Sequence, residues 1–373
     1  MDIPMSGPDI TQKEVLAINR VLATPHLALG PHLQKFEKAF ASYTGTRDAI
    51  AVSSGTAGLH LCMIAAGVGP GDEVITTPYS FIASANCILY VGATPVFVDV
   101  DPQTLNMDVH QVEERITPRT KALLPVHVFG QPCDMAPLMD IARRHNLTVI
   151  EDACEAIGAE YQGRKVGTFG RASVFAFYPN KQMTTGEGGV IVTDDPAWAD
   201  LLRSLRNQGR GEGDVWLMHQ RLGYNYRLDE MSCALGLAQM ERIEELLQKR
   251  ERVAQTYTRL LRGAQGVHVP YVAPQTTRMS WFLYVVRLTE KINRDKVRQW
   301  LQVRGVPTRP YFPPIHLQPF YRQLFGYLEG NFRMAETAGR SSLALPFSGV
   351  MTPGQIEHVC EALQDATHAS EAG

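Results

Sequence analysis

The chain has 373 residues, 20% charged and 45% hydrophobic, the make-up of an ordinary globular protein with room for one large domain and a smaller one. Lys+Arg 36 against Asp+Glu 38 leaves a net charge of −2, so no electrostatic case exists for a nucleic-acid or acidic-membrane partner. No apolar run approaches the roughly 20 residues that span a bilayer, the first residues lack the basic start and apolar core of a leader, and six scattered cysteines without a C-x-x-C pair read as reduced thiols. A cytoplasmic setting without a metal site is expected.

In chain order, residues 9–23 carry a helical period with Ile10, Val15, Ile18 and Leu22 on one face. A connector from Pro25 to Pro31 leads into a second helix through Phe36 and Phe40. Residues 49–53 read as a buried strand, and Ser54-Gly55-Thr56 turns it into a helix with Leu59, Cys62, Met63 and Ala66 on one face. Free backbone N–H groups and a hydroxyl at such a junction suit a phosphate. Ser and Thr also cap helices everywhere, so the junction alone reads equally well as a cap. Strands follow at 74–77 and 96–100, with Pro78-Tyr79-Ser80-Phe81 opening a helix between them. Further strands read at 122–128 and 147–150, separated by a helix over 135–145, and the second ends in Glu151-Asp152. Short apolar runs alternating with helical patterns predict a largely parallel sheet covered on both faces, with ligands at the carboxyl ends of its strands.

Residues 174–193 read strand, turn, strand. Val174-Phe175-Ala176-Phe177 is an apolar run, Tyr178-Pro179-Asn180 breaks it, and Lys181 follows before the β-branched run over 190–193. Lys181 therefore sits on a stiff hairpin-like turn. A lysine that burial keeps from staying a solvated cation acts as an amine and forms a Schiff base with a carbonyl; an isolated loop lysine would simply be exposed. A long helical pattern runs from 228 to about 261, after which Pro270 and Pro274 mark a change of composition. A strand-like run over 281–288, a helix over 294–303 and a Pro-rich stretch over 307–319 follow. The expected division is a large domain over 1–250 and a small α/β domain over 251–373. Lys181, an acid at a strand end (Asp152) and the Ser54-Gly55-Thr56 cradle together make the parts list for pyridoxal phosphate.

Ordered motifs extend this nearly end to end: Gly30-Pro31 with Phe36-Glu37, Ser54-Gly55-Thr56-Ala57, Gly71-Asp72-Glu73-Val74-Ile75, Gly92-Ala93-Thr94-Pro95 through Asp99, Pro125-Val126-His127, Glu151-Asp152-Ala153, Lys181 with Thr184-Thr185-Gly186-Glu187-Gly188-Gly189, Gly223 through Arg227, and Leu345-Pro346. On these motifs the chain resembles the DegT/StrS-type nucleotide-sugar aminotransferases of the fold type I, aspartate aminotransferase-like, superfamily. The resemblance implies an α/β fold type I transferase in which Lys181 holds pyridoxal 5′-phosphate and moves a proton once released, with pyridoxamine 5′-phosphate as the intermediate form. It implies that Asp152 pairs with the pyridinium and that Gly55 and Thr56 donate to the phosphate. Phe81 falls where the family stacks an aromatic ring, and a core phenylalanine fits that position equally. Asn225 matches an asparagine that reaches the phosphate from the neighbouring subunit, implying a homodimer with shared active sites. Candidate substrate contacts are Tyr178, Arg227 (a carboxylate anchor or a structural ion pair) and His316 (near the site mouth or in a surface loop).

Two positions depart from the family pattern. Glu155 stands where a glutamine usually bonds the cofactor's phenolic oxygen, so either Glu155 is protonated or the phenol keeps its proton. Ala176 stands where a phosphate-binding serine is usual, leaving Ser173, Tyr178, Asn180 or a water to replace its hydroxyl. The implied reaction moves an amino group from L-glutamate, leaving 2-oxoglutarate, to a nucleotide-linked (dTDP, UDP or GDP) 3- or 4-keto-6-deoxyhexose. That serves amino-sugar biosynthesis for a surface polysaccharide or a glycosylated metabolite, and inositol-type keto substrates stay open. The sugar dehydratases that resemble this family carry histidine in place of the lysine, which Lys181 opposes. A cofactor-binding regulator without turnover finds no basic stretch or helix-turn-helix here, and a dinucleotide oxidoreductase would need a G-x-G-x-x-G after the first strand.

Overall fold

Runs of β-branched and aliphatic residues form the strands, and the sheet buries them on both faces. In the computed structural model, which describes residues 2–211 and 218–371, the strands are Asp48–Val52 (β1), Glu73–Thr76 (β2), Thr94–Phe97 (β3), Thr120–Leu123 (β4), Thr148–Asp152 (β5), Glu160–Tyr161 (β6), Arg164–Lys165 (β7), Ala172–Ala176 (β8), Gly189–Thr193 (β9), Val267–His268 (β10), Thr276–Arg278 (β11), Tyr284–Leu288 (β12) and Ser342–Leu345 (β13). Seven of them form one sheet in the order β1-β9-β8-β5-β4-β2-β3. The pairs β3–β2, β2–β4, β4–β5 and β5–β8 are parallel. β9 runs antiparallel to both of its neighbours, β8 and β1. Every residue of β2 and β9 is buried, the polar ends of β2 (Glu73 and Thr76) included. β10, β12 and β13 make a second, antiparallel sheet, and β11, β6 and β7 a third.

The long helical pattern over 228–261 resolves into two helices, Glu230–Met240 and Ile243–Leu261. Arg242 leaves the helical conformation between them (φ −116°, ψ 6°), and its guanidinium bonds Asp9 and Glu14 of the N-terminal segment. The second of these helices serves two cores. Ile243, Leu246 and Leu247 pack with Phe36, Phe40, Phe175 and Phe177 against the large sheet. Val253, Tyr257 and Leu261 pack instead with Tyr284, Val286, Leu343 and Leu363 around the second sheet, where Ile3 from the N-terminus joins them. We propose the division of the chain at residue 250 on this basis: it falls where one helix passes from one core to the other.

The first helix forms where the period places it, Gln12–Leu22, capped by Thr11 and Glu14 in a reciprocal box. Its expected apolar face is not covered by this chain, for Val15 and Leu22 are exposed together with Ile10, Leu27 and Leu29 nearby.

Phe177 joins the core to the turn that carries Lys181. Its ring meets Phe36 and Phe40 edge-on at 5.7 and 5.5 Å. Its backbone N–H donates to Gly188 O at 3.0 Å, and its carbonyl accepts from Thr185 N–H at 3.0 Å and Thr184 Oγ1 at 2.9 Å. Phe177→Ala should therefore cost about 3–5 kcal/mol, read as a lower denaturant midpoint at unchanged slope. A loss below about 0.5 kcal/mol, the value of a surface change, would contradict this packing.

Candidate active site

Three strand ends converge. Asp152 is the last residue of β5, Ala176 the last of β8, and Ser54 follows β1 to cap the helix Gly55–Ala65. Ser54 Oγ accepts the Ala57 N–H at 3.0 Å. The leading amides of a helix have no acceptor within it and carry the positive end of its dipole, so Gly55 and Thr56 present donors to an anion. These ends line a cavity of about 530 Å³ together with Lys181 and Glu155. That volume suits a small-molecule ligand.

Lys181 is held at the backbone. Its N–H donates to Tyr178 O at 2.8 Å, and its carbonyl accepts from Arg250 Nη2 at 2.7 Å. Its side chain is 13% exposed, with Nζ 3.6 Å from Glu155 Oε1 and 3.8 Å from the centre of the Phe282 ring. Glu155 is buried, and its Oε2 accepts the Phe129 N–H at 2.8 Å. Burial pushes its carboxyl above the ordinary 4.5, and the Lys181 ammonium and Phe129 amide pull it partly back. Phe129 is pinned in a left-handed conformation (φ 57°), and a Cβ on the following Gly130 would sit 1.6 Å from Ser280 O, so only glycine fits there.

The pleat sorts the Glu151-Asp152 pair. Successive strand side chains point to opposite faces, so Asp152 lines the cavity, its Oδ1 accepting Cys154 N–H at 3.1 Å. Glu151 turns away, fully buried, and accepts the backbone N–H groups of Gly167, Phe169 and Gly170, each at 2.8 Å. His127 Nε2 lies 3.2 Å from Glu151, and His127 Nδ1 accepts the Cys133 N–H at 3.0 Å, which puts the ring proton on Nε2.

The donor set fits pyridoxal phosphate: an amine, a carboxylate and a helix N-terminus facing one space. The cradle is close-packed beneath, for a Cβ on Gly55 would lie 2.8 Å from both Ala176 Cβ and Cys154 Sγ. Ala176 supplies a methyl where the family pattern usually has a serine hydroxyl. Of the three candidate side chains, Tyr178 and Asn180 line the cavity, where the Tyr178 hydroxyl and the Asn180 amide N–H are the candidate donors. Ser173 does not qualify: it is fully buried and its Oγ donates to Glu151 O at 3.1 Å.

Phe81 is 61% exposed at the cavity wall, so the core alternative fails for it. Asn225 and Arg227 stay outside this chain's cavity: Asn225 pairs with Asn207 along the backbone, and Arg227 Nη1 donates to Asn207 Oδ1 at 3.0 Å. His316 requires correction. It is 0% exposed, Nε2 lies 3.1 Å from Glu336, and Phe332 and Tyr327 pack on its ring, so no substrate reaches it and it is no loop residue in water. Sequence reasoning missed the aromatic wall of Phe282, Tyr311 and Phe312. The apolar run over 281–288 and the Pro-rich stretch over 307–319 held those residues, but nothing local in them points to the cavity.

Comparison with known proteins agrees with this geometry. Residues 8–364 match the model of the DegT/DnrJ/EryC1/StrS aminotransferase family. GDP-perosamine synthase of Caulobacter vibrioides is 46% identical over 339 residues, 90% of each chain. The dTDP-3-amino-3,4,6-trideoxy-alpha-D-glucose transaminase of Streptomyces venezuelae is 38% identical, covering 98% of this chain and 95% of its own. Among solved structures, S. venezuelae DesV in complex with a ketimine intermediate superposes with a TM-score of 0.90 at 39% identity, over 95% of this chain and 94% of its own.

Glu155 gives a pH test on the ligand-free protein. Its folded pKa lies above its ordinary 4.5, so the stability it contributes is present below that value and is lost as pH rises through the folded one. Glu155→Gln escapes the loss, and its melting temperature should rise relative to the unaltered chain across this window. A difference that stays constant with pH would contradict a buried, protonatable Glu155.

Proposed function

Because the chain belongs to the DegT/DnrJ/EryC1/StrS aminotransferase family, we propose that it transfers an amino group from L-glutamate to a nucleotide-linked keto sugar, a 3- or 4-keto-6-deoxyhexose. The observation that carries this reading is the convergence of Lys181, Asp152 and the Gly55-Thr56 helix end on one cavity. Pyridoxal 5′-phosphate, when bound, supplies the electron sink that makes a proton on the substrate's Cα labile. Ser54, Gly55 and Thr56 would hold its phosphate end, Asp152 would keep its pyridine nitrogen protonated, and Phe81 would lie against its ring. Lys181 Nζ would be the amine that holds it and the base that takes the proton from the donor's Cα. Its place beside the Phe282 ring, with little exposure to water, suits an amine that alternates between these tasks. Glu155 would serve the cofactor's phenolic oxygen, its protonated form supplying a hydrogen-bond donor.

The relatives act, by their names, on GDP- and dTDP-linked sugars; both nucleotides remain within this proposal. A homodimer completes the site in this reading. Asn225 and Arg227 lie outside the chain's own cavity, and the uncovered apolar face of the first helix, with Ile10, Leu16 and Leu22 at 44%, 51% and 56% exposure, is suited to a second copy. A dehydratase is disfavoured by Lys181, and a regulator without turnover leaves the lysine–carboxylate–helix arrangement without a purpose.

Adding L-glutamate to protein loaded with pyridoxal 5′-phosphate should shift its visible band toward the ultraviolet and yield 2-oxoglutarate. The aminated protein should then convert a GDP- or dTDP-linked 3- or 4-keto-6-deoxyhexose to its amino sugar, read by mass spectrometry. A band indifferent to glutamate would overturn the donor, and failure with every keto sugar nucleotide would overturn the acceptor.

A further inference from the structure

Arg250 is a buried cation without a counter-charge. It lies in the helix Ile243–Leu261 at 3% exposure, and among the described residues no carboxylate pairs with it. Among the described residues its hydrogen bonds run to backbone carbonyls, and the Phe347 ring centre lies 5.6 Å from its guanidinium carbon. Nη2 donates to Asn180 O at 3.1 Å and Lys181 O at 2.7 Å, while Nη1 donates to Phe282 O at 3.1 Å and, more weakly, to Trp281 O at 3.5 Å. One rigid fork thus grips two segments far apart in sequence, the turn that carries Lys181 and the entry to β12.

The position is singular in the fold. Residue 250 stands where its helix passes from the core of the large sheet to the core of the second sheet. Each segment it grips contributes one half of a contact in the cavity, Lys181 Nζ over the Phe282 ring at 3.8 Å. A parallel stitch lies alongside: Gln182 Nε2 donates to Glu155 O at 2.6 Å and to Ser280 O at 3.1 Å, tying the same turn to the same entry segment. Burial draws the Arg250 guanidinium down to about 10, which leaves it charged at neutral pH. A buried charge is tolerated only when fully hydrogen-bonded, so four carbonyls must stay in place around it. Lysine, with one ammonium in place of a planar fork, cannot span both segments in this geometry.

Resting on the role proposed above for Lys181, we propose that Arg250 is a positioning residue for the reaction: it fixes the Lys181 backbone against Phe282 and so sets where Nζ meets the carbonyl carbon of the cofactor. A cation here, instead of an apolar side chain, ties the reactive lysine to the junction between the two cores. Small displacements of a reacting group carry large rate penalties, so a looser clamp registers first in the lysine's reactivity.

The test uses the full chain freed of cofactor. Variants R250K and R250Q are mixed with pyridoxal 5′-phosphate, and the growth rate of the visible band of the lysine adduct is measured beside the melting temperature. The control is Y257F, which removes the Tyr257 hydroxyl bond to Pro346 O (2.8 Å) in the same helix without touching the lysine turn. R250K and R250Q should slow band growth by about tenfold or more. Y257F should stay within about twofold of the unaltered chain, whatever its loss of melting temperature. In turnover, kcat should fall in the Arg250 variants while KM for L-glutamate holds, as expected when orientation rather than binding is lost. Rates that follow melting temperature alone across all three variants would overturn the proposal. Failure of both Arg250 variants to fold would do so too, since it would make the residue a folding element only. Absence of any band in the unaltered chain would instead remove the role given to Lys181.

Discussion

The site depends on a backbone approach that only glycine allows. At the start of β9, Gly189 lies between the ends of β8 and β1, in register with Ala176 on one side and Val52 on the other. A Cβ there would meet Gly55 N, Phe175 O and the Ser54 carbonyl carbon, each at 2.8 Å. With no side chain to hold them apart, the helix N-terminus after β1 and the lysine turn after β8 close on the same space, and β5 brings Asp152 beside them. An antiparallel strand inserted into an otherwise parallel sheet is what returns the chain to this edge after Lys181.

Around this edge the electrostatics are divided by the pleat. Glu151 is consumed by backbone amides on one face of the sheet, and Asp152 is left for chemistry on the other. Glu155 is neither. It sits 3.6 Å from Lys181 with its other oxygen on a strained, pinned peptide at Phe129, and burial favours its neutral form. In its neutral form it offers an O–H donor where the family usually has an amide, and unlike an amide it can release that proton. The turn bearing Lys181 is then held from behind by Arg250 and by its own Gln182, whose side chains bond main-chain carbonyls and Ser280.

Most of the large sheet was legible because its strands are short, mostly buried apolar runs bounded by glycine and proline, and because Asp152 and Ser54-Gly55-Thr56 stand at strand ends and Lys181 on the turn after one. The rest depends on partners distant in sequence. The aromatic wall of Phe282, Tyr311 and Phe312 is assembled in a further apolar cluster that draws on both sheets, and such runs look the same whether they face a ligand or a core. His316 resembled a loop residue beside prolines, yet Glu336, twenty residues on, together with Phe332 draws it inside. The break at Arg242 is likewise invisible in the helical period, because it is set by Asp9 and Glu14 at the far end of the chain. Ser173 and Ala176, three residues apart, show the limit of counting: the hydroxyl that seemed available is locked to Glu151 O inside the sheet.

The central claim is that Lys181 is the amine that captures the cofactor. The most direct measurement is borohydride reduction of the chain loaded with pyridoxal 5′-phosphate, followed by peptide mapping by mass spectrometry. The account predicts one reduced adduct, on the peptide containing Lys181, and none in Lys181→Ala. An adduct on another lysine, or equal labelling of the Lys181→Ala chain, would contradict it.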